Sequence, residues 1–346
     1  MSKRASLFIA CSVLALLSAF AQTGRVGMYS VGFYNLENLF DTQHDEGKND
    51  YEYLPDGTNK WTNMKYQAKL KNMARVLAEM GTDRIRTGCA LIGVSEVENA
   101  RCLADLCAQE PLSRRGMRFC HIEGPDQRGV DCGLLYNPTF FRPAKVWLQP
   151  YVLRERGARP TRGFLTVQGT LADDSVTVIV CHWPSRYSGK ATRVWAGQQV
   201  KAEKDSIVRA NPRMKILVMG DMNDDPFDES MARGLGARRK IADVKTPMDM
   251  FNPWWQILLD GKGTLKYDGK WNLFDQIVMS QSLTRGTASK DYTSLTFYKA
   301  EIFNRSYLLQ DSGKYKGNPK RTHASGVWLN GFSDHLPVVT YFVKRL

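Results

Sequence analysis

Six apolar, β-branched runs of this chain end or begin in a carboxylate, an amide or an imidazole. That repeated pattern constrains the fold more than any other feature of the sequence. Val31-Gly32-Phe33-Tyr34 leads into Asn35-Leu36-Glu37-Asn38, and Leu91-Ile92-Gly93-Val94-Ser95 leads into Glu96-Val97-Glu98-Asn99. Val178-Ile179-Val180-Cys181 leads into His182-Trp183-Pro184-Ser185-Arg186. Ile216-Leu217-Val218-Met219-Gly220 leads into Asp221-Met222-Asn223-Asp224. Asp275 stands just before Gln276-Ile277-Val278-Met279, and Asp334-His335 opens the run that starts at Leu336. Each alone is ordinary: Glu96 could cap a helix, Asp221 to Pro226 could be a turn, and His182 could be a satisfied core histidine. Together they call for strand ends gathered at one edge, with two imidazoles, several carboxylates and two amides in one polar cleft.

The strand-like runs are Val26–Tyr34, Ala90–Val94, Gly133–Tyr136, Phe164–Leu171, Val176–Cys181, Lys215–Met219, Leu273–Met279 and Leu336–Val343. Many are almost continuously apolar, as strands covered on both faces are. Helical spacing appears from Trp61 to Met80, with Gly81 as a stop, and again from Thr192 to Ala210. Irregular alternation of this kind predicts a layered α/β domain with sheets inside and helices outside. The polar stretches Thr42–Lys60, Arg154–Arg162 and Asp311–Gly326 read as long loops, which in a compact domain are often functional. There is no internal repeat or linker, so residues 22–346 read as a single catalytic domain.

The first residues read as an export signal. Lys3 and Arg4 form a short basic region, Leu7 to Leu17 an apolar core, and Ala19-Phe20-Ala21 a small-x-small cleavage pattern. The apolar core is shorter than the roughly 20 residues an anchor needs. Residues 1–21 are therefore expected to be a cleaved secretory signal peptide, and the protein to be secreted or periplasmic. Loss of Lys3 and Arg4 lowers the formal charge from +13 to +11. A basic exported protein attracts polyanions such as nucleic acid, anionic lipid or acidic glycans. Six cysteines remain, with too many possible pairings to assign from sequence. No Cys-x-x-Cys occurs, which argues against a thiolate zinc or redox site. Cys132 and Cys181 fall within strand runs and read as buried thiols.

Carboxylates placed together repel one another unless a cation lies among them, and hard oxygen donors favour Mg²⁺, with Mn²⁺ or Ca²⁺ as alternatives. Basic residues around such a cleft suit an anionic substrate, and the chemistry suits attack of water on a phosphate ester. The segments "NLENLFD", "GVSEVEN", "CHWPSR", "GDMNDDP", "FDQIVMS" and "SDHLPV", in that order, resemble the endonuclease/exonuclease/phosphatase superfamily, the DNase I-like fold. The resemblance runs from Asn35 to Val338. It implies a four-layered α/β sandwich, two mixed β-sheets packed face to face with helices on the outside. It also implies roles. Asn35, Glu96 and Asp334 match metal-site positions, with Glu96 the principal ligand. His182 and His335 match histidines that contact the scissile phosphate. Asp221 and Asn223 match the pair that orients the attacking water, and Asp275 matches the acid that supports the catalytic histidine. Either Asp221 or the histidine could be the general base. Asp131 and Arg186 are candidate substrate-binding residues, each with a fold-supporting role as the alternative, and Tyr136 reads as core.

Abasic-site repair endonucleases of the superfamily carry a tyrosine where His182 stands, so the resemblance leans away from them. "FYNLENLFD" most resembles exported bacterial nucleases. The sequence therefore predicts a secreted, metal-dependent endonuclease acting on DNA or RNA. The basic loop "QDSGKYKGNPKRTH", with Tyr315 among its lysines, is a candidate for backbone contacts and base stacking. One rival is a sphingomyelinase-like lipid phosphodiesterase, for which Trp254 and Trp255 in "MFNPWWQILL" would meet a membrane interface. Others are a phosphoesterase acting on inositol phosphates or nucleotides, and a non-catalytic polyanion-binding protein of the same fold. Nothing in the sequence implies a protein partner, and a monomer is expected.

Overall fold

The computed structural model describes residues 25–154, 157, 159–324 and 326–346. The predicted signal peptide lies outside the described residues. The strands are β1 (Val26–Leu39), β2 (Leu91–Val97), β3 (Arg118–His121), β4 (Asp131–Tyr136), β5 (Phe141–Gln149), β6 (Phe164–Leu171), β7 (Asp174–His182) and β8 (Lys215–Asp221). They continue with β9 (Ala237–Arg238), β10 (Met250–Phe251), β11 (Leu265–Tyr267), β12 (Lys270–Asn272), β13 (Asp275–Ser280) and β14 (Thr296–Ile302). The last are β15 (His323–Ala324), β16 (Val327–Trp328) and β17 (Val338–Arg345). The α-helices are α1 (Asn63–Glu79), α2 (Ala100–Ala108), α3 (Lys190–Ala210) and α4 (Trp254–Leu259).

Two large sheets dominate. One runs β14-β17-β1-β2-β4-β3, the other β5-β6-β7-β8-β13-β10-β9. Both are mixed: β1 and β2 are parallel in the first, β7 and β8 in the second, and antiparallel neighbours flank each pair. Strand periodicity splits each run between two layers. In β1, Val31 and Phe33 enter the core between the sheets, while Tyr34 and Leu36 face α1 and α2. In β8, Leu217 and Met219 point to the inter-sheet core, and Ile216 and Val218 point to α3. The result is helices, sheet, sheet, helix: the four-layered sandwich that the continuous apolar runs require. At Gly93 the sheets approach so closely that a Cβ would lie 3.1 Å from the Phe33 ring and collide with the Met219 sulfur.

Several expectations need adjusting. The last strand begins at Val338, because Pro337 has no N–H for the ladder. Strands β3, β5 and β14, the short strands β9–β12, β15 and β16, and helices α2 and α4 go beyond the sequence reading. Helix α2 does follow the Glu96 segment, but Asn99 caps it, accepting from the Cys102 N–H at 3.0 Å. All six cysteines of the described residues are free thiols, and Cys132 and Cys181 are buried. Tyr136 packs in the inter-sheet core. Trp254 is fully buried, its Nε1 donating to the Ile277 carbonyl at 3.0 Å. Among the described residues, no helix is long and apolar enough to cross a membrane.

Candidate active site

Strand direction explains why the polar residues follow some runs and precede others. The parallel pairs β1/β2 and β7/β8 end at the same edge, so their last residues reach the site. The antiparallel neighbours β13 and β17 start there, so residues at or just before their starts reach it. Register makes this exact in pairs: His182 lies across from Asp221, and Asp221 across from Asp275. Asn35 lies across from Ser95, the residue before Glu96. The Ser333 hydroxyl donates to the Asn35 carbonyl at 2.8 Å, which ties the approach to β17 onto β1. Gly220 has no side chain because a Cβ there would run into the Cys181 carbonyl of β7.

Both strands of the β1/β2 pair are bulged here. Glu37, Asn38 and Glu96 have φ of 49°, 57° and 57°, and Asn223 has 51°. Asparagine tolerates this left-handed region, but glutamate does not, at a cost of roughly 1–3 kcal/mol per residue. The bulge re-aims the Glu96 side chain into the cleft, where its Oε2 accepts from the Asn38 N–H at 3.1 Å.

Asp221 is the hub. Its Oδ1 accepts from the Asn223 N–H at 2.9 Å and its Oδ2 from Asn35 Nδ2 at 3.1 Å. The same Oδ2 lies 3.7 Å from His182 Nε2 and 3.8 Å from His335 Nε2. His335 Nδ1 is bonded to Asp275 Oδ2 at 2.7 Å. Burial alone would lower the His335 pKa, but the charges of Asp275 and Asp221 outweigh it and raise it well above the ordinary value. His182 goes the other way: burial, then the charges of Arg162 and Arg128, push its pKa well below the usual range. Its Nδ1 is buried without a hydrogen-bond partner, so a cationic ring would leave a donor unsatisfied. Its proton therefore belongs on Nε2, which faces Glu96 Oε1 at 3.6 Å. One histidine is cationic and the other neutral, a division of roles set by environment. Burial also lifts the Asp221 carboxyl to about 7, against the lowering effect of His335.

The donor set fits a hard divalent cation. Glu96 and Asp334 both line the cleft. Asp334 Oδ1 stays on the His335 side, 4.0 Å from Nε2, while Oδ2 is held by Arg321 Nη2 at 2.9 Å. Two carboxylates at an open cleft leave positions for water and phosphate oxygen, as Mg²⁺ sites do. Asn35, expected at the metal site, has both ends of its amide engaged. Its Oδ1 accepts from the Glu37 N–H at 2.9 Å, so its amide orients Asp221. Asp221, Asp275 and His335 also lie close enough to hold an ion. Asp275 and His335, however, are already bonded to each other, which makes that group a proton-holding chain.

Glu96, His182, Asp221, Asn223, Asp334 and His335 form the floor of a cleft of about 970 Å³, and Asn35 and Asp275 are not among its lining residues. Two expected residues lie elsewhere. Asp131 does not line it: its carboxylate takes the Gly124 N–H and His121 Nε2 at 3.1 Å. Arg186 turns away from the cleft to Asp225 and Asp228, each at 3.1 Å, and lies 4.4 Å from the Phe274 ring. Its Nε also donates to the Asn223 carbonyl at 3.3 Å, so it braces the turn that carries Asn223. Residues the sequence reading passed over include Arg162, buried against Asp126 at 3.2 Å and donating to the carbonyls of His182 and Trp183. Glu37 pairs with Arg321 at 2.9 Å, behind Asp334. Fully buried Lys69 donates to the Phe332 carbonyl at 2.6 Å, anchoring the segment before Asp334. Glu37 was visible in "NLEN", two residues after Asn35; Arg162 and Lys69 carry no local signal.

The model of the endonuclease/exonuclease/phosphatase family matches residues 30–344. The chain belongs to this family. Members of the family are phosphoester hydrolases that generally use a divalent metal. Among solved structures, the chain is similar to a family member from Bacteroides thetaiotaomicron at 14% identity and a TM-score of 0.54, covering 94% of this chain and 98% of that one. It is similar to TDP2 of D. rerio complexed with a single-strand DNA product, at 13% identity and a TM-score of 0.52, covering 91% and 99%. A mannosyl-6-phosphatase from Bacteroides thetaiotaomicron matches at 13% identity and a TM-score of 0.52, again over 91% and 99%. Likeness at this level of identity establishes the shared fold. No curated protein matches the sequence.

Proposed function

We propose that this family member is an exported, metal-dependent nuclease that hydrolyses phosphodiester bonds of DNA or RNA. The observation that carries the reading is the composition of the cleft. Arg128, Arg154, Arg159 and Arg162 line it, and among the described residues its acids are Glu96, Asp221 and Asp334 on the reacting floor. Positive walls above an acidic floor suit an extended polyanion whose phosphate is presented to the acids.

Glu96 and Asp334 would hold the divalent cation, which, when bound, neutralises charge on the phosphate and assists the leaving oxygen. Asp221, fixed by Asn35 and Asn223, orients a water and accepts its proton. The His335 imidazolium, held cationic by Asp275, donates to a non-bridging phosphate oxygen as negative charge builds there. The neutral His182 offers its Nε2–H to a second oxygen. The lipid alternative loses half of the tryptophan pair it rested on, because Trp254 is core while Trp255 is half-buried.

The test incubates the exported form, residues 22–346, with plasmid DNA, RNA, sphingomyelin vesicles and inositol phosphates, each with Mg²⁺ or EDTA. Nicking of DNA or RNA that EDTA abolishes supports the nuclease. Release of lipid headgroup or inorganic phosphate without nucleic-acid cleavage would replace it with one of the rivals.

A further inference from the structure

We propose that the cleft wall carrying Tyr187 and Trp195 is a stacking subsite for unpaired bases, which makes the preferred substrate a single-stranded nucleic acid. This rests on the nuclease reading for its relevance to catalysis. Its physical basis is separate. Tyr187, Ser188, Ala191, Thr192 and Trp195 all line the cavity. Ala191, Thr192 and Trp195 share one face of α3, and Tyr187 and Ser188 stand on the turn that leads into it. This wall is aromatic at both ends and small in the middle. Small side chains between two rings leave room for flat groups to lie against them.

The fold does not use Tyr187 for packing. Its side chain is 100% exposed. One exposed tyrosine needs no explanation, but this one is held on a rigid support. Arg193 Nη1 donates to the carbonyls of Ser185 and Gly189 at 2.9 and 3.1 Å, closing the turn from behind. Arg186 is pinned on the opposite side by Asp225 and Asp228. These bonds fix the backbone of the turn that carries Tyr187. Trp195 is fixed as well, its Nε1 donating to the Val152 carbonyl at 2.7 Å. The Arg154 guanidinium lies 4.2 Å from the Trp195 ring centroid. A guanidinium plane on an indole is itself a surface on which bases stack.

The chemistry selects the ligand. Arginines of the same cleft take phosphates, and aromatic planes take bases without regard to sequence. Bases in a duplex are stacked inside it and present only their edges, so these rings are available only to unpaired nucleotides.

The test is equilibrium binding in EDTA, where no hydrolysis intervenes. The probes are a fluorescent oligothymidylate and a strand of equal length and charge that lacks bases. Wild type should hold the base-bearing strand about tenfold more tightly than the baseless one. Tyr187→Ala should remove most of that difference, and Tyr187→Phe should keep it, because the ring and not the hydroxyl stacks. Equal affinity for the two strands, or a Tyr187→Ala protein that still discriminates, would overturn the subsite. Base-dependent binding without any Mg²⁺-dependent cleavage of DNA or RNA would uphold the subsite and remove the nuclease reading.

Discussion

At the scale of single residues, the account turns on two buried histidines driven in opposite directions. Asp275 lies 2.7 Å from His335 and keeps it cationic, so Asp275→Asn should lower turnover about 10²–10³-fold while the protein stays folded. His335→Ala and Asp221→Asn should each cost about 10²–10⁴-fold. Steady-state rates alongside circular dichroism check these outcomes. Proton linkage adds a second prediction. The fold raises the Asp221 carboxyl to about 7, so it retains a proton there that the unfolded chain releases near 4. That contribution to stability is full below about pH 4 and lost as pH rises through about 7. His335, also raised, contributes in the same sense, its share being lost as pH rises through its elevated pKa. His182, lowered by the fold, works in the opposite sense below about pH 7. The chelated protein should therefore melt at lower temperature as pH rises from about 7 to 9, where His182 is neutral in both states and His335 is losing its proton. Mg²⁺ should restore more at the higher pH, where the Asp221 carboxyl beside the site has lost its proton and adds negative charge. A Mg²⁺-induced melting shift independent of pH would contradict this. The candidate residues were legible because a charge at the end of a buried run is anomalous in one dimension. Arg162 and Lys69 were not, since their partners are distant in sequence and sit among other basic residues.

At the scale of elements, legibility followed burial. Interior strands such as β7 and β8 are continuous apolar runs and stood out. Of the strands that did not, the three longest, β3, β5 and β14, are all at sheet edges, and the rest are two or three residues long. Edge strands carry charges on their open side, as Arg142, Lys145, Lys299 and Glu301 do, and so imitate loops. Strand register was also out of reach, because it depends on which β-strand neighbours which. Two elements make testable demands. Gly220→Ala should destabilise the protein by about 2 kcal/mol or more in chemical denaturation, because the new methyl group meets the Cys181 carbonyl. Arg186→Ala frees the turn around Asn223 without touching the cleft. It should lower kcat roughly tenfold with little change in KM. A raised KM at constant kcat would instead return Arg186 to substrate binding.

At the scale of the whole molecule, two sheets with their parallel pairs pointing the same way bring six separate segments to one edge. The exported form, with a formal charge of +11 once Lys3 and Arg4 are lost from the +13 of the full sequence, carries a net field that attracts polyanions. Apparent affinity for a polynucleotide should fall steeply with salt, while hydrolysis of a small chromogenic phosphodiester should respond weakly. The central claim is that one cation held by Glu96 and Asp334 serves the Asp221–His335 centre in cleaving phosphodiesters. The most direct measurement is the rate of oligonucleotide cleavage as a function of Mg²⁺ concentration, for wild type and Glu96→Gln. The account predicts no cleavage in EDTA, saturable activation by Mg²⁺, and a requirement raised about tenfold or more in Glu96→Gln. Cleavage that persists in EDTA, or an unchanged Mg²⁺ requirement in Glu96→Gln, would contradict it.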